Sequence, residues 1–464
     1  MSILAERYAS PQMRAIWSRE KKVLLERELW ILIMKEQSRH GFPIPRSAVD
    51  SYEQVQSKID LASIDKRESI LKHDVKARIE EFNALAGYEY IHLGLTSRDV
   101  TDNVELYQLK QTLELVRFKS LALLARLGDK AESYAELPIV GRTHNVPAQV
   151  TTLGKRFSTW AEELLFSLGH LENFIHRLPL RGIKGALGTS SDQIELLGKS
   201  PKDIGLALMQ EWGFDSQLAS PSQIYPRSID YEYVSTLSQL AAAPSNIAIN
   251  VRLMSGHGLV SEGFAAGQVG SSAMPHKVNP RVSERINSLS AILKGFVTMA
   301  NEISGEQWNE GDVSCSAIRR VVLPESAYVI DGILDSMISV LDGLQIDEAE
   351  IQAELNAHLP LMSTSRLLML SVKKGVGREQ AHRALKQYAQ EWRNRHREEA
   401  NDRFFEKVIQ DVALKLDASD VETIIEVPLA LAGDAPQQAR KMSGRIREIP
   451  GLEVSRNYSP TMWS

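Results

Sequence analysis

A short loop in this chain carries the residue types that base catalysis needs. Residues 270–280 read Gly-Ser-Ser-Ala-Met-Pro-His-Lys-Val-Asn-Pro and follow a stretch rich in glycine. Glycine permits backbone conformations that other residues resist, so the loop can close over a ligand and turn backbone N–H groups inward. A serine hydroxyl acts as a base only when its surroundings stabilise the alkoxide, and Lys277 could supply that charge. The combination suggests proton abstraction beside a carboxylate.

The same residues also have a purely structural interpretation. Asn279 followed by Pro280 is typical of a helix start, with asparagine as the N-cap and proline at the first helical position. Apolar residues then recur at spacings of three and four from Val282 to Ile303, which predicts a long amphipathic helix. On spacing alone, the Gly-Ser-Ser run before this helix is equally a linker or a phosphate cradle.

A histidine suited to proton donation lies in the segment 141–149, which reads Gly-Arg-Thr-His-Asn-Val-Pro-Ala-Gln. The segment falls between two predicted long helices. Imidazole is the side chain best matched to giving up a proton near neutral pH, so His144 is a candidate general acid. The alternative is a structural or solvated loop histidine.

Polar motifs elsewhere also have both a functional and a purely structural interpretation. His73 and Asp74 are adjacent near a predicted helix start, where they could pair or cap. Thr96 and Ser97 could be no more than a cap for the helix that follows them. His92 and Gln223 are uninformative without their context.

The elements that must position these residues are helical. The pattern predicts a helix over 10–40, a polar stretch over 43–65 and a helix over 69–82. Longer apolar stripes follow over 102–127, 153–175, 227–255 with a kink at Pro244, and 327–344. Helices of this length, with seams every three or four residues, suit a bundle. We therefore predict an all-α chain with a central long-helix bundle over 96–345, flanked by smaller helical domains over 1–95 and 346–464.

Composition narrows the class of protein. The chain has 464 residues and a formal net charge of −5, with no long run of one sign, which argues against a nucleic-acid surface. Cys315 is the only cysteine, so neither an internal disulfide nor a cysteine metal cluster is possible. The start of the chain lacks a signal-peptide pattern, and no apolar run is long enough for a bilayer. We expect a cytoplasmic protein that does not act at a membrane.

Taken together, the motifs resemble those of the fumarase/aspartase superfamily, whose members eliminate fumarate from succinyl compounds. The resemblance implies that Ser271 is the general base and His144 the general acid. It also implies that substrate contacts come from the catalytic loop, from the His-Asp segment, from the Thr-Ser pair and from the Gln-x-Tyr-x-Arg segment. These contacts are Ser272, Lys277, Asn279, Lys72, His73, Asp74, Thr96, Ser97 and Gln223, with His92 and Arg285 in supporting roles.

Two further segments resemble the adenylosuccinate lyase family within that superfamily. The amino-terminal Arg7-Tyr8 pair and the Ser316 to Arg320 segment match the parts that hold a nucleotide there, and an arginine fork suits phosphate. One position departs from the family pattern, since Gly311 stands where many members have arginine. Arg319, Arg285 or Lys72 could compensate for that missing cation.

This resemblance implies cleavage of adenylosuccinate to AMP and fumarate, and of the succinylated carboxamide ribotide of purine synthesis to AICAR. It implies no metal and no organic cofactor, and a homotetramer whose active sites are shared between subunits. Two alternatives stay open: a superfamily lyase acting on a succinyl compound without a nucleotide, and a helical scaffold without enzymatic activity.

Overall fold

The computed structural model describes residues 2–200, 202–263, 274, 277–393 and 400–460. Six helices precede the long bundle. They are α1 (Ile3–Tyr8), α2 (Pro11–Ile16), α3 (Arg19–Arg39), α4 (Arg46–Val55), α5 (Leu61–Leu71) and α6 (Asp74–Ala86).

The middle of the chain contains long helices together with two short antiparallel strand pairs, of which only the first is a hairpin. The elements are α7 (Ser97–Ser133), β1 (Pro138–Thr143), β2 (Val146–Thr152), α8 (Leu153–Arg177), α9 (Ser191–Leu197), α10 (Lys202–Trp212), α11 (Ser228–Leu240), α12 (Ala242–Gly256), β3 (Val260–Ser261), α13 (Arg281–Glu302), α14 (Ser316–Gly343) and β4 (Gln345–Ile346). β1 pairs with β2, and β3 pairs with β4, both antiparallel.

The last third of the chain is again helical. Its elements are α15 (Glu348–Lys373), α16 (Arg378–Arg393), α17 (Ala400–Gln410), α18 (Ala418–Glu426), a 3₁₀ helix (Pro428–Ala432), α19 (Ala435–Arg447) and α20 (Leu452–Arg456). α19 and α20 return to pack on α7. The predicted all-α class with a long-helix bundle is confirmed.

The bundle core is apolar and continuous. The buried apolar side chains of α7, α8 and α11 to α14 belong to one cluster, and most of those from Leu359 in α15 to α18 form a second one. α7 and α14 run in the same direction, because three ion pairs join them in the same order along both helices. These pairs are Glu105–Arg319 at 2.8 Å, Lys119–Asp335 at 2.9 Å and Arg126–Asp342 at 3.0 Å.

Three predicted helix boundaries are wrong, each for a local reason. The helix predicted over 10–40 is two helices, because the Ser18 hydroxyl accepts the Lys21 N–H at 3.1 Å and starts α3. The stretch over 43–65 holds α4, whose buried Ala48 and Tyr52 lie one turn apart. The helix predicted from 69 breaks at Lys72, whose φ of 53° ends α5.

Three further expectations about the bundle are also corrected. The stripe over 227–255 is two helices that meet at Ala241, with Pro244 inside the first turn of α12, where its missing N–H costs nothing. Asn279 is not the cap of α13, which begins at Arg281. The segment around His144 is a β-hairpin and not an irregular loop between helices.

Candidate active site

A buried carboxylate organises the first turn of α7. Asp99 is fully buried, and its Oδ1 accepts from Arg181 Nη1 at 2.6 Å and from the Lys184 and Gly185 N–H groups at 2.8 and 3.0 Å. Its Oδ2 accepts from the Thr96 N–H at 2.8 Å. The carboxylate therefore closes the end of α7 and fixes the segment after Arg181 against it.

Two more carboxylates follow on the same face of α7 at spacings of three. Asp102 accepts from Arg227 Nη2 and from the Tyr225 N–H, each at 3.2 Å. Glu105 lies 2.8 Å from Arg319. Burial opposes ionisation of Glu105, but the pKa of this carboxyl is held well below its usual range by Arg319. We call this set the ion cluster; it comprises Asp99, Asp102, Glu105, Arg181, Arg227 and Arg319.

Arg319 belongs to the fold and is not free to contact a ligand. Its Nε donates to Asp230 Oδ2 at 2.7 Å, its Nη2 contacts both Glu105 and the Tyr225 hydroxyl, and the residue is 4% exposed. Burial acts to lower its pKa, but Asp230 and Glu105 raise the pKa well above the usual value. Arg319 therefore does not replace the cation that position 311 lacks.

Gln223 is held beside the ion cluster by a second segment. Its N–H donates to the Glu310 carbonyl at 2.9 Å, and Gln307 Nε2 donates to the Ser222 hydroxyl at 2.9 Å. A Cβ at Gly311 would lie only 3.0 Å from Gln223 Oε1 and 3.1 Å from Gln223 Cβ. The glycine thus allows the chain to pass directly against the candidate substrate-binding amide.

Residues of the His-Asp segment approach the start of α14. Lys72 and His73 are exposed at the junction of α5 and α6, where the His73 imidazole caps α6. Asp74 Oδ2 lies 4.0 Å from Arg320 Nη2, and Arg320 is 73% exposed. Ser316 is the first residue of α14, one turn before Arg320. The structure thus brings two separately predicted motifs to one end of the bundle.

Thr96 and Ser97 lie where α7 begins, and His92 lies in the segment that leads into this helix. Thr96 is the N-cap residue, Ser97 is the first helical residue, and both are half-buried. His92 has a φ of 63°, and its Nδ1 accepts the Trp30 indole N–H at 3.1 Å. Burial lowers the pKa of His92 to about 4, although Asp99 opposes that shift.

This histidine gives the fold an acid sensitivity. The folded chain keeps His92 neutral, whereas the unfolded chain takes up a proton below pH 6.5. Stability is therefore unaffected above that pH and falls as the pH drops from 6.5 towards 4, by about 2 kcal/mol between pH 7.5 and pH 5. Urea unfolding of the wild type and of His92→Asn at both pH values checks this expectation. Equal pH dependence in the two proteins would contradict it.

The amino-terminal pair lies farther along α14. Arg7 is exposed, Tyr8 is half-buried, and the Arg285 guanidinium lies 5.9 Å from the Tyr8 ring centre. The Tyr8 backbone packs on Gly332, which is 12 residues beyond Arg320 and 16 beyond Ser316 in α14. At about 1.5 Å per residue these separations are about 18 and 24 Å. The two segments predicted to hold one nucleotide therefore do not meet within a single chain.

His144 lies at the tip of the hairpin formed by β1 and β2. Its φ of 52° and the φ of 59° at Asn145 are those of a type I′ turn, whose twist suits paired strands. The His144 side chain is exposed. Arg142 anchors the turn, since it donates to the Asn145 carbonyl at 3.1 Å and to Glu354 at 2.5 Å.

A cavity of about 220 Å³ adjoins this hairpin, and Glu354 pairs with one of the two arginines in its lining. Arg142, Asn145, Arg156 and His257 contribute to its polar lining. Burial is the main reason that the pKa of Arg156 falls to about 10, which Glu354 partly offsets. This end of the bundle therefore carries cationic groups near the candidate acid.

The candidate catalytic loop, residues 270–280, is described only at Met274 and from Lys277 to Pro280. Ser271 and Ser272 lie outside the described residues. Lys277 is exposed, and Asn279 is half-buried. The base of the loop is closed by Glu262, whose carboxylate accepts the first N–H groups of α13, from Val282 at 3.0 Å and from Ser283 at 2.7 Å. Glu262 therefore caps the start of α13, the role that the sequence pattern predicted for Asn279.

The candidate residues fall at two ends of the bundle. The hairpin follows the carboxyl end of α7, where the Gly154 N–H donates to the Tyr134 carbonyl at 2.7 Å. The base of the catalytic loop lies at the same end, since Gly263 packs against the Gly343 carbonyl at the end of α14. Thr96 stands at the other end of α7, a helix of 37 residues and therefore about 55 Å long.

The ion cluster and the roles of Arg142 and Glu262 were not predicted from the sequence. A signal for the cluster exists, because Asp99, Asp102 and Glu105 recur every three residues within an apolar helix. Their arginine partners come from segments more than 70 residues away, so the pairing itself was not readable. In the described part of the chain, no group of three His, Cys, Asp or Glu residues is placed to hold a metal ion. Nor does any helix described there have the length and apolar character needed to cross a membrane.

Known proteins resemble this chain over most of its length. A family model described as "Lyase" matches residues 44–295. Adenylosuccinate lyase from Schistosoma mansoni is 35% identical over 396 residues, which cover 84% of this chain and 82% of the relative. The chain belongs to the adenylosuccinate lyase family. Its resemblance to the fumarase/aspartase superfamily is thereby confirmed.

A second relative and one solved structure are also similar to this chain. Adenylosuccinate lyase from Saccharomyces cerevisiae is 32% identical over 451 residues, covering 94% of this chain and 92% of the relative. The 3-carboxy-cis,cis-muconate lactonizing enzyme of Pseudomonas putida superposes with a TM-score of 0.83 at 20% identity, over 96% of this chain and 99% of that one. At that identity the superposition shows a shared fold and nothing more.

Proposed function

We propose that this member of the adenylosuccinate lyase family eliminates fumarate from adenylosuccinate and leaves AMP. The observation that carries the proposal is the likeness to curated adenylosuccinate lyases over more than four-fifths of both chains. Since these relatives come from distant organisms and include one from Archaeoglobus fulgidus at 32% identity, a common activity is the simplest account. We also expect cleavage of the succinylated carboxamide ribotide to AICAR, because its succinyl arm is the same.

The proposed reaction is a β-elimination. Ser271 takes the proton from the succinyl carbon beside a carboxylate, and the electron pair first resides on that carboxylate as an aci-carboxylate with two negative charges. The pair then forms the double bond of fumarate as the C–N bond breaks, and His144 gives a proton to the departing nitrogen. Lys277, Asn279 and N–H groups of the loop would stabilise the anion, since fixed donors act most strongly where charge develops.

The remaining candidate residues divide between the two halves of the substrate. We assign the succinyl half to Thr96, Ser97, Gln223 and Ser272, and the nucleotide half to Arg7, Tyr8, Ser316 and Arg320. Asp74 lies 4.0 Å from Arg320, and we assign it to the same half together with the neighbouring Lys72 and His73. The substrate carboxylate serves as the electron sink, so the proposed steps call for no metal and no organic cofactor.

We further propose that each active site is built from several copies of the chain in a homotetramer. Support comes from the separation of about 55 Å between the helix ends that carry Thr96 and His144. No side-chain movement closes such a gap, whereas packing bundles side by side brings the opposite ends of neighbouring helices together. The exposure of the His144 tip is consistent with a role opposite a neighbouring chain.

An absorbance assay tests the proposed activity. Purified protein should convert adenylosuccinate to AMP and fumarate, and Ser271→Ala should lose nearly all of this conversion. Argininosuccinate, supplied in parallel, should release no fumarate. Release from argininosuccinate alone would favour a superfamily lyase that needs no nucleotide, and no release from either compound would overturn the proposal.

Gly311 offers a narrower prediction about substrate contacts. Gly311→Ala should raise the KM for adenylosuccinate by about 3- to 10-fold, because its Cβ lies 3.0 Å from Gln223 Oε1, so that the amide must shift, and because the φ of 155° at this position is strained for a residue with a side chain. Steady-state kinetics measure the effect. Gly41→Ala is the matched control, since Gly41 also has a positive φ, of 94°, and a Cβ there meets no atom within 4 Å. An unchanged KM in Gly311→Ala would show that Gln223 does not contact the substrate.

A further inference from the structure

The segment that carries Arg7 and Tyr8 is fastened to one face of α14. At its start, the Ser2 hydroxyl donates to Glu325 Oε2 at 2.7 Å. At its end, the Ser10 N–H donates to Asp331 Oδ2 at 2.6 Å. Both acceptors lie on α14, so the short helix α1 is held at its two ends against a single rigid element.

Between these two bonds the backbone of α1 lies directly on a glycine. A Cβ at Gly332 would stand 2.8 Å from Tyr8 Cβ and 2.9 Å from the Tyr8 carbonyl oxygen. Real Cβ atoms essentially never approach other atoms so closely, and here the neighbour is mostly backbone. The glycine therefore sets how near Tyr8 can come to α14.

The carboxylate of the neighbouring Asp331 is itself held in position by a buried lysine. Its Oδ1 accepts from the buried Lys119 ammonium, which also donates to Asp335 Oδ2 at 2.9 Å. Asp335 in turn accepts from the Tyr458 hydroxyl at 2.9 Å. Lys119 and Asp331 are both fully buried, so this cluster is rigid and leaves Asp331 one oriented oxygen for Ser10.

We propose that Glu325, Asp331 and Gly332 are positioning residues that set the location of Arg7 and Tyr8, and hence the binding of the nucleotide half of the substrate. The inference rests on the proposed function, in which Arg7 and Tyr8 contact the nucleotide. It adds that the contact depends on how closely the Tyr8 backbone packs against Gly332 of α14, which no side chain of the site itself determines.

Gly332→Ala tests the packing of Tyr8 against α14. In this variant the added methyl pushes Tyr8 away, so the KM for adenylosuccinate and the inhibition constant of AMP should both rise roughly 10-fold, which corresponds to about 1.4 kcal/mol. The inhibition constant of fumarate, which lacks the nucleotide, should stay within about 2-fold. Gly444→Ala, a helical glycine with no atom within 4 Å of the added Cβ, should leave all three constants unchanged.

A second variant covers the case in which Gly332→Ala fails to fold. Ser2→Ala removes the bond to Glu325 at the edge of the molecule, and it should raise the inhibition constant of AMP by about 2- to 3-fold with fumarate unaffected. If Gly332→Ala folds and its inhibition constant for AMP is unchanged, the proposal is overturned. If Gly332→Ala does not fold, an unchanged inhibition constant for AMP in Ser2→Ala would overturn it. An equal rise for AMP and fumarate would also overturn it, because a merely structural defect would affect both halves. Failure of the wild type to cleave adenylosuccinate would instead overturn the proposed function.

Discussion

Replacing His144 with asparagine should lower kcat on adenylosuccinate by roughly 10²- to 10⁴-fold, the usual contribution of a positioned general acid. Asparagine tolerates the left-handed backbone of this turn, where φ is 52°, so the hairpin should stay intact. The loss then reflects the missing proton donor. Steady-state kinetics with circular dichroism of both proteins check the result.

His176→Asn is the control for this variant. His176 is 82% exposed on α8 and stands outside both groups of candidate residues, so its replacement should leave kcat unchanged. A kcat near that of the wild type in His144→Asn would remove His144 from the proposed mechanism.

The same variant decides whether active sites are shared. Inactive His144→Asn chains mixed with inactive Ser271→Ala chains should regain activity after subunit exchange. If the two residues of each site come from different chains, about a quarter of the sites in a random mixture contain neither substitution. Mixed oligomers verified by mass spectrometry that show no activity would contradict shared sites.

Arg319→Met should destabilise the fold by about 3–5 kcal/mol, the usual cost of removing one partner from a buried ion pair. Methionine fills similar space but leaves the buried Asp230 without its cation, and leaves the half-buried Glu105 with only Lys22, at 3.4 Å. The pKa of the Glu105 carboxyl, which Arg319 now holds low against the effect of burial, should then rise. Chemical denaturation followed by circular dichroism measures the loss.

Arg320→Met provides the matched control one residue away. Arg320 is 73% exposed, and its ion pair with Asp74 is long at 4.0 Å. Its replacement should therefore change the free energy of unfolding by less than about 0.5 kcal/mol. If Arg320 holds the nucleotide as proposed, that variant should instead raise KM. Equal stability losses in the two variants would contradict the structural role given to Arg319.

Sequence alone determined the helical class, the long bundle and the identity of the motifs. The periodicity of apolar residues is local, so it is readable without the partner surface. The positions of helix breaks were harder to predict from the sequence, because they depend on single polar atoms. Ser18 starts a helix where the apolar pattern continues, and Glu262 caps α13 from a distance of 20 residues.

Only the tertiary structure decided which motifs are neighbours. It placed Asp74 beside Arg320, and Gln223 against Gly311, at one end of the bundle, and it put the His144 hairpin at the other. It also separated Arg319 from Arg320, which are equivalent in sequence but face the core and the solvent respectively. The reason is that proximity and burial arise from how rigid helices pack, and helix periodicity records which face is apolar but not which other segment covers it.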